Sequence, residues 1–375
     1  MIRLLEIGLL FFLLFVLQNK LYARLWRLHL SVSVMFTRDH IYQGEWGELV
    51  EVIENRKRLP LAMLKVKFKT DRHLLFGDRK GSRTTDQFYR NDVFRVGSRE
   101  KVTRTLKFQG GRRGYYTIDQ VNLVASDLFF SHQMTAEQHV QARLYVYPRP
   151  YESQEMRLSL IWLNGEVLSR RHLLEDPFEY RGIREYQPYD DMRSINWKAT
   201  AKTGAFKVNQ KNYTALKSVR IFLNVQDDGI LKKEDCVEMS LRIAVGLGFF
   251  FLKQGIQVSC HGNGVDLLTG KPLSIALRAG DGQADAICRG LARLDLTRPA
   301  LPFGELFEEM LFTQDTGTVT CFVAPNPYED FVTLVEKYQD TGKAFTWFYP
   351  VSGRENPPLP PKLEKQIRLI HFDAS

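Results

Sequence analysis

Between Phe178 and Lys202 the chain concentrates the groups that acid–base chemistry uses. Glu185, Asp190 and Asp191 lie close together, beside Arg184 and Arg193, with Glu179, Arg181, Lys198 and Lys202 around them. Paired carboxylates next to guanidinium groups can serve hydrolysis or phosphoryl transfer. One carboxylate takes a proton while the cations stabilise developing negative charge. The same residues can instead satisfy one another. A guanidinium meets a carboxylate through two parallel hydrogen bonds, and several such pairs make a rigid network. The network reading is favoured, because the segment carries no cysteine and no histidine. Tyr180, Tyr186, Tyr189 and Trp197 are threaded through it, and solvated loops seldom hold so many large aromatics. Trp197 is expected in the interior. Ile195 and Trp197, two apart, suit a strand face, whereas Trp197 and Ala201, four apart, suit a helix start. The chain is expected to change from one to the other here.

Elements further on must position a site. Val219–Val225 is a continuous apolar run, suited to a strand buried on both faces. Asp235–Lys253 has helical periodicity, Ile256–His261 is strand-like, and Leu267–Ala276 reads as a hairpin around Thr269-Gly270. Gln283–Leu294 is helical, followed by a strand at Thr318–Ala324, a helix at Tyr328–Gln339 and strands at Ala344–Tyr349 and Ile367–Phe372. Alternation of this kind predicts an open parallel sheet with helices on both faces. Ligands of such sheets sit outside the carboxyl ends of the strands, which directs attention to Asn224-Val225-Gln226-Asp227-Asp228.

The preceding part is different. Ser31–Phe36, Leu49–Asn55, Leu64–Thr70 and Val102–Phe108 alternate with period two, and TIDQVNLV and ARLYVYP continue the series. Many strands with half-polar faces and no long helix predict a β-sandwich-like domain. Gly110–Gly114 (GGRRG) lacks the lysine and following helix of a phosphate loop and reads as a hairpin turn with glycines at positive φ.

Ile7–Leu17 is an almost pure apolar run, extended by Leu4 and Leu5, with Glu6 its one charge. It is short for a membrane span, and Leu21, Tyr22, Leu25 and Trp26 are expected to lengthen it toward the interface. Gln18, Asn19 and Lys20 follow in place of a small-residue cleavage site, which favours an uncleaved anchor over a signal peptide. Arg3 precedes the run, while Lys20, Arg24, Arg27 and Arg38 follow it. The positive-inside rule therefore puts the large C-terminal part in the cytoplasm. The predicted layout is a membrane anchor at 1–27, the β domain at 28–150, and the charged segment with its α/β domain at 151–375.

The 375 residues carry a net charge of +9, but basic and acidic residues are interleaved, so a nucleic-acid partner is not expected. Cys236, Cys260, Cys288 and Cys321 show no metal-ligand spacing and read as buried apolar residues in a reducing compartment. The histidines form no ligand pair.

The charged segment resembles the signature of the DUF58 family of bacterial proteins. Gly182, Arg184, Glu185, Tyr186, Pro188, Asp190, Asp191, Arg193, Ile195, Trp197, Ala201 and Gly204 match it. Tyr189, Asn196 and Lys202 depart from a glycine, an aspartate and an arginine. The apolar N-terminus, the RRGYYTI segment and the YVYPRP strand agree in outline, so the resemblance covers nearly the whole chain. It implies a membrane-anchored protein with a C-terminal von Willebrand factor A (vWA)-like domain, encoded in many genomes beside a MoxR-type AAA+ ATPase. Two N-terminal spans are usual in the family, against one run here. A metal-binding vWA domain carries D-x-S-x-S at the first strand tip. This chain offers Asn224, Gln226 and Asp228, with Asp281 from a later loop. These oxygens suit Mg²⁺ only weakly, so no cofactor is expected.

The expected fold is therefore α/β plus β: an N-terminal transmembrane helix, a β-sandwich-like domain and a vWA-like open parallel sheet. The expected function is a non-enzymatic, membrane-anchored cytoplasmic interaction protein, an adaptor or partner of a MoxR-type ATPase. Arg184, Glu185, Tyr186, Asp190, Asp191, Arg193, Trp197 and Lys198 would form its docking network. The alternatives are a hydrolase using Glu185, Asp190 and Asp191, and an extracytoplasmic binding module.

Overall fold

The computed structural model describes residues 2–77, 82–84, 87–161, 163, 175–187, 190, 192–213, 218–229, 232–313, 317–354 and 356–373. Its two compact units are Met1–Arg149 and Pro150–Ser375.

The first unit opens with helix α1 (Ile2–Leu25), which is long and apolar enough to cross a membrane. Ten strands follow among the described residues: β1 (Leu30–Phe36), β2 (His40–Tyr42), β3 (Trp46–Asn55), β4 (Leu61–Asp71), β5 (Leu74–Phe76), β6 (Ser82–Thr84), β7 (Gln87–Val96), β8 (Lys101–Gly110), β9 (Gly114–Ser126) and β10 (Gln133–Tyr147). One sheet runs β1-β3-β8-β5 and the other β2-β10-β9-β4-β7-β6. All pairs are antiparallel except β2 with β10. Alternate residues of each strand meet in one shared core. Leu49, Ile53 and Phe108 come from one sheet, and Leu64, Val66, Ile118 and Leu144 from the other.

Two expectations are corrected in this unit. Tyr22 and Trp26 are not interfacial residues but members of this core, 1% and 6% exposed. The Tyr22 hydroxyl donates to the Pro60 carbonyl at 2.8 Å, so the end of α1 is already part of the β domain. Gly110–Gly114 is not a hairpin, because β8 and β9 belong to different sheets. None of its glycines has positive φ. They are there for space: a Cβ on Gly110 would meet Val146 Cγ1 at 2.9 Å, and one on Gly114 would meet the Tyr116 ring at 2.8 Å.

A polar cluster breaks the apolar interior. Glu51, on the inward face of β3, is fully buried. Burial and the neighbouring Asp92 push its carboxyl up to about 8, against the pull of Arg104 and Arg90. Asp92 itself is held by Arg90 Nε at 2.5 Å and Arg104 at 2.9 Å. A buried carboxyl beside a paired aspartate favours its protonated form, which removes one uncompensated charge from the core.

In the second unit β11 (Glu175–Glu185) and β12 (Lys207–Tyr213) form an antiparallel ribbon, with helix α2 (Trp197–Thr203) in their connection. Then follow β13 (Ser218–Leu223), α3 (Glu234–Leu252), β14 (Gln257–Asp266), β15 (Pro272–Arg278), α4 (Asp281–Ala292), β16 (Leu294–Asp295), α5 (Phe303–Phe312), β17 (Thr318–Val323), α6 (Glu329–Asp340), β18 (Phe345–Ser352) and β19 (Ile367–Phe372). They build a sheet of order β15-β14-β13-β17-β18-β19, with β16 beside β14. The five strands from β14 to β19 are mutually parallel, whereas β15 and β16 pair antiparallel with β14. The sheet is thus mixed and not parallel throughout. The hairpin turn at Gly270, φ +66, folds the chain straight back onto β14 and makes an antiparallel edge. Phe222, Phe322 and Trp347 pack with Phe303, Phe307 and Phe331 from α5 and α6 in an aromatic core. The chain leaves β13 for β14 on one side and later returns to β17 on the other. The carboxyl end of β13 is therefore the point where strand order reverses.

Candidate docking module and strand-end loop

The ribbon builds the first site. Arg184 pairs in register with Val208, and Glu185 with Lys207, whose Nζ lies 3.0 Å from Glu185 Oε1. Ile195 bridges to Val208, and Asn196 N–H donates to the Lys207 carbonyl at 2.7 Å. The chain then turns into α2. Asn196 Oδ1 caps it by accepting from Ala199 N–H at 2.9 Å, and Gly204, φ 70, ends it in the left-handed region. The strand-to-helix change expected at Ile195–Trp197 is thus present. Asn196 makes a second bond. Its Nδ2 donates to Asn209 Oδ1 at 2.6 Å, a bond an ionised aspartate could not make.

Arg184 clamps Asp190 with two bonds, NH1 to Oδ2 at 2.6 Å and NH2 to Oδ1 at 2.5 Å, and Gln187 N–H adds a third at 2.8 Å. The Arg184 hydrogen bond outweighs burial and holds the Asp190 carboxyl below its ordinary range. Both Asp190 oxygens are therefore committed to the loop. Asp191, Pro188 and Tyr189 lie outside the described residues, as do the side chains of Glu179, Tyr180 and Arg181.

Trp197 corrects the expectation of burial: it is 63% exposed. Helix α2 has no buried residue, because seven residues standing on a two-stranded ribbon have no core to enter. Phe206, 56% exposed, holds the Trp197 ring edge-on at 6.5 Å and the Tyr186 ring at 6.0 Å. Ile183 and Met192 are exposed on the same module, as are Arg193 and Lys198. Phe206 and Met192 were missed in the sequence because Phe206 lies past the charged segment and Met192 fills an unspecified position between Asp191 and Arg193.

At the carboxyl end of β13 the suggested metal ligands Asn224 and Asp228 are tied into the loop, while Gln226 Oε1 is buried with no hydrogen-bond partner among the described residues. Asn224, 1% exposed, accepts at Oδ1 from Gln226 N–H at 3.0 Å and Asn263 Nδ2 at 2.8 Å. Gln226 Nε2 donates to Asp228 Oδ2 at 2.6 Å, and Asn326 Nδ2 donates to the Gln226 carbonyl. Asp227 accepts from Lys233 N–H, just before α3. Asp281 lies elsewhere. It follows β15, whose last residue Arg278 pairs with Val258 at the start of β14, the opposite end of the sheet. Among the described residues no three His, Cys, Asp or Glu side chains gather as metal ligands would. A cleft of about 300 Å³ lies beside the loop, lined by Asp227, Asp228, Lys232, Glu234, Thr297 and Arg298.

Neither the cysteines nor His261 offers a reactive group. All four cysteines are buried and free, and burial pushes the thiols of Cys260, Cys288 and Cys321 up to about 12. His261 is driven down to about 4 by burial and by Arg220, and sits between Phe222 and Phe307 as a neutral core residue.

No family model matches the chain, and no curated protein matches it. Among solved structures it is similar to the CARDB domain of a Pyrococcus furiosus protein, at 15% identity over 31% of this chain and 93% of that one, with a TM-score of 0.19. It is also similar to a non-cellulosomal cohesin from Archaeoglobus fulgidus, at 12% identity over 34% of this chain and 96% of that one, with a TM-score of 0.22.

Proposed function

We propose that this chain is a membrane-anchored interaction protein of the DUF58 type. Its α/β unit would be a vWA-like domain on the cytoplasmic side, and its partner a MoxR-type AAA+ ATPase. The observation that carries the reading is the exposed aromatic pair Phe206 and Trp197, with the half-buried Tyr186 beside Phe206, on a ribbon locked by the Arg184–Asp190 clamp. Exposed aromatic side chains on a rigid frame are what protein interfaces use as anchors, since they bury much area and lose little conformational freedom. The doubly wound order of the sheet and the helix at the N-terminus are consistent with this assignment. The hydrolase reading has less support: Asp190 is fully engaged by Arg184, and the buried thiols and His261 are neutral.

The test is co-purification of the full chain, in lipid nanodiscs, with the MoxR-type ATPase of its own genome in ATP and in ADP. Retention that Trp197→Ala abolishes is the expected result. No retention in either nucleotide overturns the reading.

A further inference from the structure

We propose that the β9–β10 loop, Asp127–His132, is a second membrane contact, with Leu128, Phe129 and Phe130 entering the lipid interface beside α1. The proposal rests on the reading of α1 as a membrane anchor. Three consecutive large apolar side chains are exposed at this tip, 46%, 66% and 59% respectively. Their surroundings name the occupant. The Phe129 ring lies 5.9 Å from that of Phe15, inside the exposed apolar stretch Ile7–Leu17 of α1. Loop and helix thus offer one continuous apolar surface, and whatever covers the helix covers the loop. For a helix that is apolar on all sides, that medium is lipid.

A polar layer sets the depth. Gln18 Nε2 donates to Asp127 Oδ2 at 2.9 Å, and Leu128 N–H donates to Gln18 Oε1 at 3.3 Å. Ser131 Oγ donates to Asp127 Oδ2 at 2.6 Å and reaches Asn19 Oδ1 at 3.4 Å, while His132 N–H donates to Asp127 Oδ1 at 3.0 Å. Burial raises the Asp127 carboxyl, but the bonds from His132 and Ser131 and the nearby His132 outweigh it and leave it below its ordinary range. Along α1, Phe15 lies on one side of this layer and Tyr22, in the protein core, on the other. The bilayer boundary therefore falls at Gln18–Asn19, with Lys20 and Arg24 at the level of the headgroups.

Span length gives the physical reason. Only sixteen residues, Leu4–Asn19, separate Arg3 from Lys20. At helical rise they cover about 24 Å, short of the roughly 30 Å hydrocarbon core. A short span draws its flanking groups toward the bilayer. Here the flanking group is the β unit, and the part drawn in is its apolar loop.

The test uses the full chain in pure lipid vesicles, with one cysteine added and labelled with a polarity-sensitive dye. The native cysteines are buried, so the added thiol reacts selectively. Phe129→Cys and Phe130→Cys report the loop, Leu13→Cys the helix, and Lys107→Cys an exposed strand position. Leu128→Cys replaces Phe129→Cys should the Phe15 contact prove necessary for folding. Dye at 129 and 130 should shift to the blue and lose emission to lipids spin-labelled in the upper acyl chain, as at 13 and unlike 107. Loop labels that behave like 107 while 13 is quenched overturn the proposal and leave the anchor standing. An unquenched label at 13 overturns the anchor, and the proposal with it.

Discussion

The Arg184 guanidinium and the Asp190 carboxylate meet as a two-bond pair, at 2.6 and 2.5 Å, across five intervening residues. That pair turns a charged loop into a frame. Asp190→Asn should speed amide exchange over 184–190 and across the ribbon at 207–209, measured by hydrogen exchange at neutral pH. A variant that exchanges like the parent would show that the clamp does not hold the loop. The sign with pH is defined. The folded carboxyl is depressed by Arg184, so its contribution is fully present above the ordinary carboxylate value and is lost as pH falls below that value and through the lowered folded one. Protection of Gln187 N–H should therefore fall in acid.

Trp197→Ala and Phe206→Ala should separate binding from folding. Both side chains are more than half exposed, so stability should change by no more than about 0.5 kcal/mol. Affinity for the ATPase should drop by about tenfold or more, as for interface anchors. Surface plasmon resonance with thermal melts in parallel checks both, and a matching loss of stability would point to a structural role.

Asn263 holds the strand-end loop. It is fully buried, accepts from Val225 N–H at 2.8 Å and donates to Asn224 Oδ1 and the Leu301 carbonyl. Asn263→Ala should cost about 2–4 kcal/mol, because these groups are left unsatisfied in the interior. Calorimetry of the variant reads it. Since Asn224 Oδ1 is already taken twice, Mg²⁺ titrated into the parent protein should leave its melting temperature unchanged.

Glu51 gives the first unit a pH dependence opposite to that of most carboxylates. Its folded carboxyl is raised by burial and by Asp92 to about 8, so the folded state holds a proton that the unfolded state releases near the ordinary value. Stability from this group is present at mildly acidic pH and is lost as pH rises through about 8. Urea unfolding between these limits should show that decline, and Glu51→Gln should flatten it.

The alternating strands were legible because period-two burial is a local property: Leu49 and Ile53 read as inward and are inward. So was the helix start after Ile195, since a cap and a left-handed glycine are local as well. The same strand shows where local reading ends. Glu51 shares the inward face with Leu49 and Ile53, and only Arg90, Asp92 and Arg104, from other strands, make that placement tolerable. The apolar run and its flanking charges were likewise determined by sequence alone, but Tyr22 and Trp26 look interfacial until a β core closes over them. Trp197 errs the other way. Its size argues for burial, but a short helix on a two-stranded ribbon offers no interior. Residue type and spacing determined which elements form. What lies against each face, and so which aromatic is core and which is surface, was decided only when distant strands met.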